Sequence, residues 1–136
     1  MYELFEHTAD LGLRVIAADL DTLFAEAALA MFSMIVEDVS TIEPKLEVAV
    51  EIAGDDREYL LFDWLRELLR RHDQDRVLFG KFAVRFTAAG LSGRAWGEPI
   101  DPARHVLTHE VKAITYHELK IVPHDDGLMA EVIVDI

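Results

Sequence analysis

Apolar residues recur with helical spacing in two stretches of the chain and alternate with a period of two over most of the rest. Leu23, Phe24, Ala27, Ala28, Met31, Phe32 and Ile35 fall on one stripe, which predicts a helix over about 21–36 with Asp21 as its N-cap. A second stripe of Leu61, Trp64, Leu65, Leu68 and Leu69 predicts a helix over about 55–73, opened by Asp55 with Glu58 three residues later. On its polar side Asp63, Glu67 and Arg71 follow at i,i+4 spacing, the pattern of a solvated face. Leu46, Val48, Val50 and Ile52 alternate with polar neighbours and predict a half-buried strand. Phe82, Val84 and Phe86 predict another, joined through a turn at 88–90 to a partner at 91–97. Further strands read at 2–6, 12–18, 112–122 and 128–135, the last two joined through the turn residues His124 to Gly127. Within 112–122 the parity slips: Ile114 and Tyr116 are on one phase, Leu119 and Ile121 on the other. A β-bulge near His117 and Glu118 or a strand with two apolar faces would each produce it. About seven strands with two helices predict an α+β fold of mostly antiparallel sheet covered by helices.

Length and composition narrow the class. With 136 residues, 51% of them hydrophobic, and no linker or repeat, the chain reads as a single domain over 1–136 with enough core to fold without staples. The absence of cysteine removes disulfides, thiolate metal sites and thiol catalysis. The first ten residues are charged rather than apolar and no later run is long enough to cross a bilayer, so the expectation is a soluble cytoplasmic protein with no membrane partner. Thirteen basic against 26 acidic residues give a net charge of -13. Such a field repels phosphate, so strong direct nucleic-acid binding is not expected; cations or a basic protein partner suit it better.

Four places could carry chemistry. His7-Thr8-Ala9-Asp10 is a polar stop between two apolar strands, and its spacing alone reads as an Asx or ST turn. The terminal run Glu131 to Ile136 stays apolar to its last residue with Asp135 just before the end. A docked end would gather the Asp135 carboxylate and the oxygens of Ile136; joined by Asp10, these would be hard ligands suited to Ca²⁺ or Mg²⁺. Lys112, Tyr116 and His117 lie in or beside an apolar strand, either as a structural network with Lys112 paired to Asp10 or Asp135, or as functional groups, with acid–base chemistry through His117 or phosphate contact through Lys112. His105 and His109 have helical zinc spacing but lack the His-Glu-x-x-His pattern and a third ligand. No phosphate loop, nucleophile elbow or kinase signature is present.

The segments Glu6-His7-Thr8-Ala9-Asp10-x-Gly12, Gly97-Glu98-Pro99-x-Asp101-Pro102-x-Arg104-His105, Val111 to His117 and Asp135-Ile136, with Leu60 to Leu65 between them, together resemble the archease family over essentially the whole chain. The resemblance implies an archease-like fold and a protein that is not an enzyme. It implies an activator of the tRNA-splicing RNA ligase RtcB that promotes guanylylation and multiple turnover, with a tRNA methyltransferase as a further chaperoned partner. It also implies a divalent-cation site, Ca²⁺ in the family, at Asp10, Asp135 and Ile136, with His7, Lys112, Tyr116 and His117 as neighbours. Direct metal-dependent catalysis through His117 is the competing reading.

Overall fold

A computed structural model describes residues 1–7 and 10–136. The order of elements is β1 (Tyr2–His7), β2 (Asp10–Ala17), α1 (Leu20–Ile35), a 3₁₀ turn (Val39–Thr41), β3 (Leu46–Ala53), α2 (Arg57–Asp75), β4 (Val77–Thr87), β5 (Gly90–Pro99), β6 (Ala113–Ile114), β7 (Lys120–His124) and β8 (Gly127–Asp135). One antiparallel sheet runs β1-β2-β8-β6, with β7 also paired to β8; the other runs β3-β5-β4. The α+β expectation therefore holds, with eight strands among the described residues.

Both helices touch both sheets, α1 through β2 and β4 and α2 through β3 and β6 among others. Every residue of the two predicted stripes is buried. Phe32 of α1 meets Phe79 edge-on and stacks on Phe82, while Trp64 of α2 donates its indole N–H to the Phe24 carbonyl of α1 at 3.0 Å. Burying aromatic rings whose one polar handle is satisfied ties the two helices to each other and to the smaller sheet.

The caps correct the sequence reading by one or two residues. α1 is capped by Asp19, which accepts from the Thr22 N–H; Asp21 instead reaches the Phe86 N–H on β4. α2 is capped by Asp56 rather than Asp55, and Glu58 accepts from the Ile121 N–H rather than folding back on the helix start. Of the polar series on α2, Glu67 pairs with Arg71 and also with Arg70, as a solvated face does.

The predicted strand at 112–122 is two strands. β6 and β7 lie on the same edge of β8, but the register advances by three residues between Ile114↔Val134 and Lys120↔Glu131. An odd number of inserted residues flips the parity, which explains why Ile114 and then Leu119 and Ile121 are the buried ones. The excursion is larger than a single-residue bulge, and Glu118 turns it with φ 61°.

The connection from β5 to β6 is pinned by buried polar contacts. Glu98, 1% exposed, accepts from Arg104, from the Glu43 N–H and from His105. His105 is also buried, and its Nδ1 accepts from the Asp101 N–H at 2.9 Å, so Nε2 carries the proton given to Glu98. Further along, the N–H groups of Thr108 and His109 cap the Ile35 and Met34 carbonyls at the end of α1. His105 and His109 thus hold the connection in place, the first through its buried ring and the second through its backbone N–H.

Candidate functional site: an acidic row at the end of the larger sheet

Alternation along β1, β2 and β8 sorts the outer face of the larger sheet into rows. The first row is a charge ladder in which Arg14 contacts both Glu3 and Glu131, and Lys120 reaches Glu131 at 3.0 Å. The second is apolar: Phe5 lies opposite Gly12, which lies opposite Ile133. A Cβ at residue 12 would run into the Phe5 ring, so the glycine is what lets that ring lie flat on the strand.

The third row holds the acids. His7 pairs with Asp10, and continuing the Leu11↔Val134 register by one residue sets Asp10 against Asp135, which pairs in turn with Ala113. Directly opposed residues carry their Cβ atoms about 4.5–5.5 Å apart and on one face. The row therefore brings together the two carboxylates that are 125 positions apart in the chain. Asp10 is half-buried, Asp135 exposed, and Ile136 half-buried beside them. The Lys112 N–H donates to the Asp135 carbonyl at 2.7 Å, which docks the chain end.

Both ends of the row are tied together. His7 Nε2 lies 2.9 Å from a Glu118 carboxylate oxygen, and Glu118 belongs to the β6–β7 excursion on the far side of β2 and β8. His7 Nδ1 is buried with no hydrogen-bond partner among the described residues. The turn expected at His7 to Asp10 involves Thr8 and Ala9, which lie outside the described residues.

The other expected neighbours divide. Tyr116 leaves the acidic row and stacks on Tyr59 of α2. Burial, then the charges of Asp56, Tyr59 and Glu58, hold its phenol above the usual range. The Lys112 side chain is exposed and makes no ion pair with Asp10 or Asp135, so the structural network proposed for it is replaced by its backbone contact. His117 is 76% exposed on its side chain and lies 3.6 Å from Glu118. Sequence reasoning found Glu118 only as part of a possible bulge and Tyr59 not at all, because the roles of both depend on the three-residue excursion.

As a cation site the row is a partial cage. Two carboxylates and a main-chain oxygen of Ile136 are hard oxygen donors of the kind Ca²⁺ accepts. Among the described residues no three His, Asp or Glu side chains converge on one point, so oxygens of Ile136 and donors from outside the chain would have to complete the shell. The residues fit such a cation on those terms.

Comparison with known proteins places this geometry in context. The sequence profile of the Archease protein family matches residues 2–136. The protein archease of Pyrococcus furiosus is 44% identical over 140 residues, covering 99% of this chain and 98% of its own. The solution structure of Methanobacterium thermoautotrophicum protein 1598 superposes with a TM-score of 0.87 at 42% identity, covering 99% of this chain and 98% of that one. The crystal structure of a Thermotoga maritima archease, described as a possible chaperone, shares the fold with a TM-score of 0.69 at 20% identity, covering 100% and 98%.

Proposed function

The chain belongs to the archease family, and from that premise we propose that it is a non-enzymatic activator of an RtcB-type tRNA-splicing RNA ligase, promoting guanylylation of the ligase and its multiple turnover. One feature carries the reading: the β2–β8 register, continued one residue past Leu11↔Val134, sets Asp10 opposite Asp135 at the end of the sheet, beside Ile136. Opposed acids repel and destabilise a strand pair unless something positive meets them, so the arrangement makes a poor structural device and a good cation-directed one.

Asp10, Asp135 and the oxygens of Ile136 would hold a divalent cation such as Ca²⁺. Bound there, it would neutralise the acids and leave an electrophilic centre open to a partner's oxygen donors. The protein's own part is positioning. Lys112 anchors the chain end through its N–H, and the His7–Glu118 contact ties the two flanks of the row. The net charge of -13 steers the acidic end toward a basic protein surface rather than toward RNA.

The test is the guanylylation rate of the cognate ligase with GTP and metal, with and without substoichiometric amounts of this protein. Acceleration is expected, and Asp10→Ala or Asp135→Ala should abolish it while the thermal melt stays the same or rises, because neither side chain is core and either change relieves the opposed acids. Full activation by either variant at normal concentration would sink the proposal. A second reading, a chaperone for a tRNA methyltransferase, draws on the description of the Thermotoga maritima archease as a possible chaperone. Suppression of that enzyme's aggregation with no effect on ligase rate would favour it.

A further inference from the structure

Tyr59, in the first turn of α2, is 56% exposed, and Tyr116, in the β6–β7 excursion, is 38% exposed. Their rings nevertheless stack, with centroids 4.6 Å apart and planes 20° from parallel. Phe62 meets Tyr116 edge-on at 5.7 Å, and the Arg66 guanidinium lies 5.2 Å from the Phe62 ring centre. Large aromatic area left open to water is unfavourable unless something covers it, and tyrosine is the residue type most enriched where partners do.

The surroundings specify the chemistry of the cover. Asp56 accepts the Tyr59 N–H at 3.2 Å, and Glu58, next to Tyr59 in the chain, reaches across to the Ile121 N–H beyond the excursion that carries Tyr116. Asp56 is occupied by the helix cap and Glu58 by the Ile121 N–H, and among the described residues neither is in an ion pair. Glu118, two residues beyond Tyr116, adds a further acid and leads directly to the row of Asp10 and Asp135. A π-face bordered by carboxylates attracts a flat, weakly hydrated cation, the description of an arginine side chain. The same carboxylates repel a phosphate backbone, and a second copy of this chain would bring another charge of -13.

We propose that the Tyr59–Tyr116 stack is a docking surface for an arginine-bearing, cationic segment of the protein partner, continuous with the Asp10–Asp135 end of the sheet. The inference rests on the reading of the chain as a ligase activator and names that activator's second contact. The stack anchors the partner, and the acidic row is thereby held against it.

The experiment measures the dissociation constant for the cognate ligase, and the protein concentration giving half-maximal guanylylation, for the natural chain and three variants. In Tyr59→Ala/Tyr116→Ala both quantities should rise by about tenfold or more, the scale of a lost aromatic anchor. Tyr59→Phe/Tyr116→Phe should restore both, since the ring faces and not the hydroxyls make the contact. Tyr59→Arg, at a mostly exposed position that leaves folding intact, should weaken binding similarly by setting like charge against the incoming segment. Alanine and arginine variants that bind as tightly as the natural chain overturn this inference alone. A natural chain that neither binds nor activates the ligase overturns the activator reading with it. A dimer of the natural chain in sedimentation that the alanine variant loses would show the stack to be covered by a second copy, and overturns it as well.

Discussion

At the scale of single residues, Glu98 shows how an acid can be buried in a small core. The Arg104 hydrogen bond, against the cost of burial and with help from the Glu43 N–H and His105, lowers its ionisation from the usual 4.5 to about 2. A carboxylate that binds its proton less readily when folded adds stability above the unfolded value, and that stability drains away as pH falls from about 4.5 through 2. Denaturant titrations at pH 7, 5 and 3 should therefore show the natural chain weakening toward pH 3, and Glu98→Gln weakening less over the same interval. At pH 7 the variant should be less stable by about 1–3 kcal/mol, because it leaves the buried donors around it poorly paired. A parallel fall in both proteins would show that Glu98 is not the group responsible. A second residue-scale case is Gly93, where an added Cβ would sit 2.5 Å from the Trp64 ring. Gly93→Ala should cost about 1–3 kcal/mol by overpacking, and a compensating shift of Trp64 would appear as a change in its fluorescence.

At the scale of elements, the helices were legible because burial of one face writes itself into the sequence at a period that no strand shares. Their first residues were less so, since neighbouring acids compete for one cap: Asp19 and the first-turn Asp21 at α1, Asp55 and Asp56 before α2. Only the backbone trajectory decides which side chain meets the free N–H groups. Asp56→Ala should accordingly lower the melting stability by about 1 kcal/mol while Asp55→Ala changes it little, a contrast that calorimetry can read. The slip of parity between Ile114 and Leu119 was visible, but its size was not, because one and three inserted residues flip the pattern equally. That is why Glu118 was noticed only as part of a possible bulge and Tyr59 not at all. The His7–Glu118 contact spans two intervening strands, and the Tyr59–Tyr116 stack joins α2 to the β6–β7 excursion, so both exist only once sheet order is known. Asp10 and Asp135 could be singled out as candidates from type and position. Their side-by-side placement is a consequence of the β2–β8 register.

At the scale of the whole molecule, the distribution of charge matters more than its sum. The basic residues on the outer face of the smaller sheet are partly answered in place: Arg94 pairs with Glu47, and Lys81 lies over the Trp96 ring, whose indole N–H is also held by Glu47. That face is thus partly answered in place, whereas Asp10, Asp135, Asp56 and Glu58 make no ion pair among the described residues, and the chain as a whole carries a surplus of negative charge. Steering by such a field acts on the encounter and is screened over about 10 Å at 0.1 M salt. Stopped-flow association with a basic partner should therefore slow by about tenfold or more between 0.05 and 0.5 M salt, while dissociation, governed by close contacts, changes far less. Anisotropy with a fluorescent single-stranded RNA should show no comparable binding at either salt. Salt-independent association would mean that the acidic field does not steer the encounter, and RNA binding that salt weakens would mean that the positive patches face the partner.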